Sequence, residues 1–295
     1  MKQSTTGHIA AFFTIVLWGT TFISTKVLLS DFTPVEILFI RFVIGFIALW
    51  IAYPRLLHIK DKKQELLFFL AGLCGICLYF LMENIALTYT LASNIGVIIS
   101  IAPFFTAILS RIFFPTDKSL HANFFIGFLC AMAGICIISF NGSSLHFDIT
   151  GDLLALGASF VWACYSLLTK KLSTYEYATI PMTRRIFTYG LICIIPALFF
   201  LDFSPNIDAF FHITNTFNFI YLGLGASATC FVTWNFAVKT LGALKTSIYI
   251  YLVPVVTIVT SFLILRENVT YITWIGAGLT ILGLFLSEST CFIKK

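Results

Sequence analysis

Residues 83–110, ENIALTYTLASNIGVIISIAPFFTAILS, decide the fold, because residues 234–261, WNFAVKTLGALKTSIYIYLVPVVTIVTS, repeat their landmarks 151 positions later. Asn84 falls on Asn235, Ala86 on Ala237, Ala92 on Ala243, Pro103 on Pro254, Thr106 on Thr257 and Ser110 on Ser261. The same register pairs Gly72 with Gly223 and Phe80 with Phe231, while Gly127 and Gly134 meet Gly276 and Gly283 at an offset of 149. Nearer the amino terminus the offset is 144: Gly7 pairs with Gly151, Ala11 with Ala155, Trp18 with Trp162, Thr25 with Thr169, Lys26 with Lys170 and Arg41 with Arg185. Matches of Leu or Ile come cheaply in an apolar chain. Trp, Lys and Arg are scarce within apolar runs, so their agreement carries the repeat.

The repeated unit belongs in a bilayer. Of 295 residues, 59% are hydrophobic and 11% charged, against about 45–50% and about 25% in soluble domains. Aromatic residues reach 17%, with 33 Phe, which excludes disorder, coiled coil and collagen. A crossing helix needs about 20 apolar residues. The apolar runs predict ten spans, near 8–28, 34–54, 65–86, 92–112, 121–140, 151–170, 180–201, 216–238, 244–265 and 271–289. The first run lacks a small-x-small cleavage site and is longer than a signal-peptide core, so it stays as the first span. Thr33, Pro34 and Glu36 open the second as N-cap, first-turn proline and capping-box acid. Glu36 is therefore read as structural.

The net charge of +5 is scattered over short loops rather than gathered on a basic face, so it reports topology and not a nucleic-acid partner. With the amino terminus inside, the inner segments hold Lys2, Arg55, Lys60, Lys62, Lys63, Arg111, Lys118, Lys170, Lys171, Lys239, Lys245, Lys294 and Lys295, joined by Arg184 and Arg185. Lys26, Arg41 and Arg266 remain outside. This bias places both termini in the cytoplasm. The eight cysteines, among them Cys74 and Cys77 at CxxC spacing, all lie in or at the ends of apolar runs. They read as packed free thiols, with neither a disulfide framework nor a second ligand pair for a metal. No metal and no cofactor is expected.

Five spans per half is an odd number, so the second half must enter the membrane upside down. The chain therefore reads as an all-α integral membrane protein of ten transmembrane helices in two inverted five-helix repeats, residues 1–145 and 146–295. Inverted repeats are the architecture of many secondary transporters, with the substrate site near the midplane between them.

Four segments carry a resemblance: GHIAAFFTIVLWGTTFISTKV at 7–27, the 83–110 stretch, IYLVPVVTIVTSFLILREN at 250–268 and WIGAGLTILGLFLS at 274–287. In their order and doubled occurrence they resemble the drug/metabolite transporter superfamily, EamA family, over essentially the whole chain. The resemblance implies a carrier of the bacterial inner membrane that exports amino acids or related small metabolites. It also implies a cavity among spans 1–4 and 6–9, with spans 5 and 10 peripheral. The first half departs from the pattern: the acid that follows the ninth span, Glu267, has no counterpart in RIFFPTDKSL (111–120) other than Asp117.

Candidate site residues follow from the cost of polarity in hydrocarbon. Trp18 and Trp162 lie near the bilayer centre and not at the interfacial belts. They are read as aromatic walls of the cavity or as close packing, with Tyr79, Tyr165, Tyr249 and Tyr251 as weaker candidates. Glu83, whose repeat counterpart is Trp234, is an intramembrane carboxylate and a functional hypothesis by default. It could bind a substrate ammonium or carry a coupling proton; the alternative is an ion pair with Lys26 or Arg41. Arg41 and Arg185, in equivalent places, could attract substrate carboxylates as bidentate forks. Asn84 and Asn235 read by default as interhelical hydrogen-bonding groups. Pro103 and Pro254 are placed to kink their spans and free carbonyls, with Ser100 and Thr106 beside them; the alternatives are a moving hinge and a fixed packing kink. Gly127 with Ala131, and Gly276 with Gly278, mark close helix approach in spans 5 and 10. The chain is then a monomer, or a homodimer through those spans.

These features favour a secondary transporter of small-molecule solutes. Phosphorylated or lipid-like cargo is the alternative, and the modest number of intramembrane basic residues argues against two or more phosphate charges. A membrane enzyme needs a carboxylate pair, a Ser/His set or metal ligands. The five histidines lie near span ends or in loops, and no such cluster is visible. A passive channel needs a ring of like groups, and Glu83 has no repeat mate.

Overall fold

A computed structural model describes residues 2–59, 61–89, 92–114, 122–140, 148–201, 203–260 and 270–289. Every regular element among the described residues is helical. In chain order these are α1 (Lys2–Leu28), α2 (Pro34–Ala52), α3 (Lys62–Gly72), α4 (Tyr79–Tyr89), α5 (Ala92–Ile99), α6 (Ala102–Phe113), α7 (Ala122–Phe140) and α8 (Ile149–Ser173). There follow α9 (Thr179–Phe200), α10 (Ile207–Phe210), α11 (Ile213–Ile220), α12 (Cys230–Leu241), α13 (Ala243–Ile248), α14 (Leu252–Thr260) and α15 (Tyr271–Ser289). Seven helical stretches among the described residues are long and apolar enough to cross a membrane, and Asn123–Ile137, Ala243–Thr257 and Trp274–Ser287 are shorter apolar helices. Large apolar side chains such as Phe199 and Phe200 stand 83% and 84% exposed. A water-soluble protein does not tolerate such a surface, whereas lipid does.

Local sequence explains the helix starts. The Thr33 side chain accepts from the Glu36 amide while the Glu36 carboxylate accepts from the Thr33 amide at 2.7 Å. This reciprocal cap, worth about 1 kcal/mol, makes Glu36 structural as expected. Its second oxygen also accepts from Ser204 N at 2.8 Å.

The third and eighth apolar segments are not uniform α-helix. A π-helical turn, Leu73–Leu78, joins α3 to α4, and another, Tyr221–Thr229, joins α11 to α12. Such wide turns frequently mark functional regions. Neighbouring helices cross at glycines, just before the first turn and within the second. A Cβ on Gly72 would lie 2.6 Å from Gly190 N, and one on Gly223 would lie 2.5 Å from Ile44.

Pro103 and Pro254 each follow a local interruption of the α-helical pattern within one apolar stretch, Ile95–Phe113 and Ala243–Thr257. The chain breaks between α5 and α6 at Ser100 and Ile101, with short i→i+3 bonds from Ile101 N to Ile98 O (3.0 Å) and from Phe104 N to Ile101 O (2.9 Å). Between α13 and α14 it narrows to a 3₁₀ turn, Tyr249–Tyr251. Each proline sits in the first turn of the helix after the break, where its missing N–H costs nothing and its fixed φ suits a helix start.

The main buried cluster gathers side chains from α1–α5, α8, α9 and α12–α14. The helices α7 and α15 lie to one side and pack antiparallel on each other. A Cβ on Gly127 would come within 2.4 Å of Ser287 N, one on Gly134 within 2.5 Å of Gly276 O, and one on Gly283 within 2.4 Å of Ala131 N. Without a hydrophobic driving force between helices in lipid, this close backbone approach is what holds them. Gly278 faces open space instead, so it is not part of the seam. The small-residue face of α7 is thus spent within the chain.

Candidate functional site

Three tryptophans from three helices converge at the centre. Trp18 on α1 lies 5.2 Å from Trp162 on α8 and 5.0 Å from Trp234 on α12, with 5.8 Å between the last two ring centroids. Phe231 lies 5.8 Å from Trp18, 6.0 Å from Trp162 and 5.9 Å from Phe80. Trp18 Nε1 donates to the carbonyl of Ala226, within the second π turn, at 3.0 Å. Trp162 and Trp234 are buried, and neither indole N–H has a partner among the described residues.

Beside this aromatic layer lies a cleft walled by Trp18, Trp162, Tyr79, Phe80 and Glu83, with Thr21 and Phe22 from α1. Both chain breaks reach it, through Ile99 on one side and Ile250 and Val253 on the other. Its free volume is about 40 Å³, room for a few water molecules. Small-molecule pockets usually exceed about 300 Å³, so this conformation is closed around its centre.

Two opposite charges stand here without full satisfaction. Glu83 is 6% exposed, and its Oε2 has no hydrogen-bond partner among the described residues. Arg41 acts on it through its charge and Tyr79 through a side-chain hydrogen bond. Arg41 is 2% exposed; its Nε donates to Ser227 Oγ at 3.0 Å, while one terminal nitrogen, Nη2, has no partner there. Its guanidinium stacks at 4.5 Å over Phe80, itself a wall of the cleft. Of the expected alternative for Glu83, pairing with Lys26 or Arg41, the Lys26 half does not form. Lys26 Nζ donates to the Leu87 carbonyl at 2.9 Å, and among the described residues Glu83 joins no ion pair. Orphaned buried donors and an orphaned acceptor are costly, and a ligand bearing both charges would satisfy them.

Several candidates lie elsewhere, most of them held by ordinary hydrogen bonds. Tyr165 donates to Asn235 Oδ1 at 2.8 Å, and Asn235 Nδ2 donates to Thr183 Oγ1 at 3.0 Å, which ties α8, α12 and α9 together. Asn84 donates to the Pro34 carbonyl at 3.1 Å. Ser100 and Thr106 bond back to carbonyls one turn earlier in the chain. Tyr249 meets His8 at 2.7 Å, and Tyr251 is buried in a separate cluster with Phe124 and Leu284. These residues are cross-links and packing, not cleft wall.

Arg185 is also displaced. It pairs with Glu65, whose other oxygen accepts from Tyr189 at 2.5 Å. The contacts explain the misplacement. Gly72 lies on Ile186 O and Tyr189 of α9, and Gly223 lies on Arg41 O and Ile44 of α2. By these packing relations Arg41 corresponds to Ile186, one position from the residue that the rarer-residue matching chose. The buried arginine of α9 is Arg184, which sequence reasoning passed over. It stacks on Trp50 at 4.0 Å and caps the end of α2 through the carbonyl of Tyr53. Phe80, Phe231 and Ser227 were likewise missed; only the Phe80–Phe231 register match hinted at them. Glu267, Asp117 and Arg266 lie outside the described residues.

Comparison with known proteins follows the same line. The sequence profile of the EamA-like transporter family matches residues 5–140 and again residues 149–288. The chain is 27% identical over 288 residues to a protein named an uncharacterized transporter in Archaeoglobus fulgidus, covering 96% of this chain and 97% of that one. It is 26% identical to a probable amino-acid metabolite efflux pump of Escherichia coli, covering 95% and 93% of the two chains. Identity is also 26% to a probable terminal-alkyne amino-acid exporter of Streptantibioticus cattleyicolor, over 92% and 90%. One crystal structure superposes with a TM-score of 0.75 at 17% identity, covering 96% of this chain and 98% of that one; it speaks for the fold.

Proposed function

The chain belongs to the EamA-like transporter family, and from that premise we propose that it is an inner-membrane secondary transporter exporting zwitterionic amino acids or closely related metabolites by alternating access. Family membership makes it a multi-pass membrane transporter of small-molecule solutes and not an enzyme. The observation that carries the substrate class is Glu83, a buried carboxylate with an unsatisfied oxygen in the wall of the aromatic cleft, with the partly unsatisfied guanidinium of Arg41 stacked on Phe80 of the same wall. Glu83 would take the ammonium of the solute and Arg41 its carboxylate, while Trp18, Trp162 and Tyr79 enclose the side chain. The names of the Escherichia coli and Streptantibioticus relatives point the same way.

The transport cycle in this reading uses ten spans arranged as two inverted five-helix units, residues 1–145 and 146–295, with both termini cytoplasmic. Support comes from the doubled profile match, from the helix crossings at Gly72 and Gly223, just before the first π turn and within the second, and from the contact between repeat counterparts Trp18 and Trp162. Broken helices at the substrate level are the device that secondary transporters use to expose backbone polarity to a solute. The closed cleft would open when the two units rock, with α5–α6 and α13–α14 moving at their breaks.

Phosphorylated cargo is disfavoured here, since the carboxylate of Glu83 would repel it beside a single buried cation. The reading is tested by counterflow in proteoliposomes with a labelled amino-acid panel. Saturable exchange of zwitterions supports it, and exchange confined to phosphorylated or lipid-like solutes overturns it.

A further inference from the structure

A second cavity, of about 550 Å³, lies apart from the central cleft between α3, α6 and α8. Its walls are Leu67, Leu70, Leu109, Phe113, Leu167 and Leu168, with the free thiols of Cys74 and Cys164. Such a lining cannot receive the transported zwitterion, whose charges would be left unpaired. Among the described residues its one charged wall residue is Lys171, at the end where the three helices gather their basic residues. Lys170 and Lys171 occupy the last turn of α8 and Arg111 the last turn of α6, while α3 begins at Lys62. Lys170 Nζ sits 4.3 Å above the ring of Phe114, another wall residue. The acidic groups at that end of α3 are engaged elsewhere: Asp61 caps α3 by accepting from Lys63 N at 3.0 Å, and Glu65 binds Arg185 and Tyr189.

We propose that this groove is a docking site for an anionic phospholipid of the cytoplasmic leaflet, one acyl chain lying along Leu70, Leu109 and Leu168 and the phosphate at Lys171. The apolar wall suits an acyl chain, which would make the dispersion contacts that packing in lipid depends on. Basic pockets between helices on the cytoplasmic side select anionic headgroups. The site rests on the cytoplasmic placement of these helix ends, and not on the identity of the solute. Its occupant would brace α3 and α6 on α8, the helix that carries Trp162.

The test is native mass spectrometry of the detergent-purified full chain with phosphatidylglycerol and phosphatidylcholine of identical chains. The expected result is one saturable phosphatidylglycerol per chain, with phosphatidylcholine weaker. Half-saturation should weaken about fivefold in Lys171→Ala, as one basic residue near a headgroup implies. Binding should weaken in Leu168→Trp, which narrows the groove. Equal retention of the two lipids, unchanged phosphatidylglycerol binding in Lys171→Ala, or a second copy of the chain in place of lipid would each overturn the proposal. Because lipid retention is read without transport, failure here is distinguishable from failure of the amino-acid reading.

Discussion

The rings of Trp18 and Trp162 meet edge to face, 5.2 Å apart and at 81°, at the floor of the cleft that Glu83 enters. The two side chains differ in one respect that has consequences. Trp18 Nε1 is bonded to Ala226 O at 3.0 Å, whereas Trp162 Nε1 has no partner among the described residues.

Substitution by Phe separates their roles. Trp18→Phe removes a hydrogen bond and leaves the Ala226 carbonyl in a buried site, costing about 1–3 kcal/mol. Trp162→Phe breaks no such bond and should cost less, while impairing exchange at least as much because the indole N–H is free for solute. Thermal unfolding beside counterflow measures both.

Glu83→Gln should lower the melting temperature, since the buried guanidinium of Arg41 loses the opposite charge that acts on it. Exchange of zwitterions should collapse. Exchange retained at a lowered melting temperature would reverse the assignment.

Arg41→Met separates the two ends of the solute. Uptake of an amino acid should fall, because the carboxylate loses its fork. Exchange of the corresponding amine, which lacks that carboxylate, should be little changed. Ser227, bonded to Arg41 Nε at 3.0 Å, orients the guanidinium, so Ser227→Ala should raise KM for the zwitterion more than it lowers the maximal rate.

Asn235→Ala tests a candidate that lies in the cross-link between helices instead. It strips Tyr165 and Thr183 of their buried partners, a loss of about 1–3 kcal/mol. Stability should fall, and solute selectivity should stay as in the wild type. A change of selectivity at unchanged stability would return Asn235 to the binding site.

Gly127→Leu should loosen the α7–α15 seam, where a mere Cβ already reaches 2.3 Å from Ser287 Oγ. Overpacking typically costs about 1–3 kcal/mol, visible as a lower melting temperature.

Composition and apolar run length were enough to read an all-helical, multi-pass membrane chain, and the Thr33–Glu36 cap was legible because its chemistry is entirely local. Glu83 was legible too, since a carboxylate in hydrocarbon demands a reason. Arg185 misled because scarce residues set the register, whereas helix crossings are set by glycines: Gly72 and Gly223 identify the partner positions. Phe80 and Phe231 could not be singled out among 33 Phe. Asn235 and Tyr165 resembled site residues until their mutual bond accounted for them. The proline segments read as kinks because a kink and a local interruption of the helix share one sequence signature, and only the backbone bonds around Ile101 show the form it takes.

Counterflow with three solutes that share one side chain, the amino acid, its amine and its carboxylic acid, tests the Glu83–Arg41 pair most directly. Saturable exchange of the amino acid by the wild type is expected, lost in Glu83→Gln, with the amine lost in Glu83→Gln but retained in Arg41→Met. Equal loss of all three solutes in both variants, or undiminished amino-acid exchange in Glu83→Gln, would contradict it.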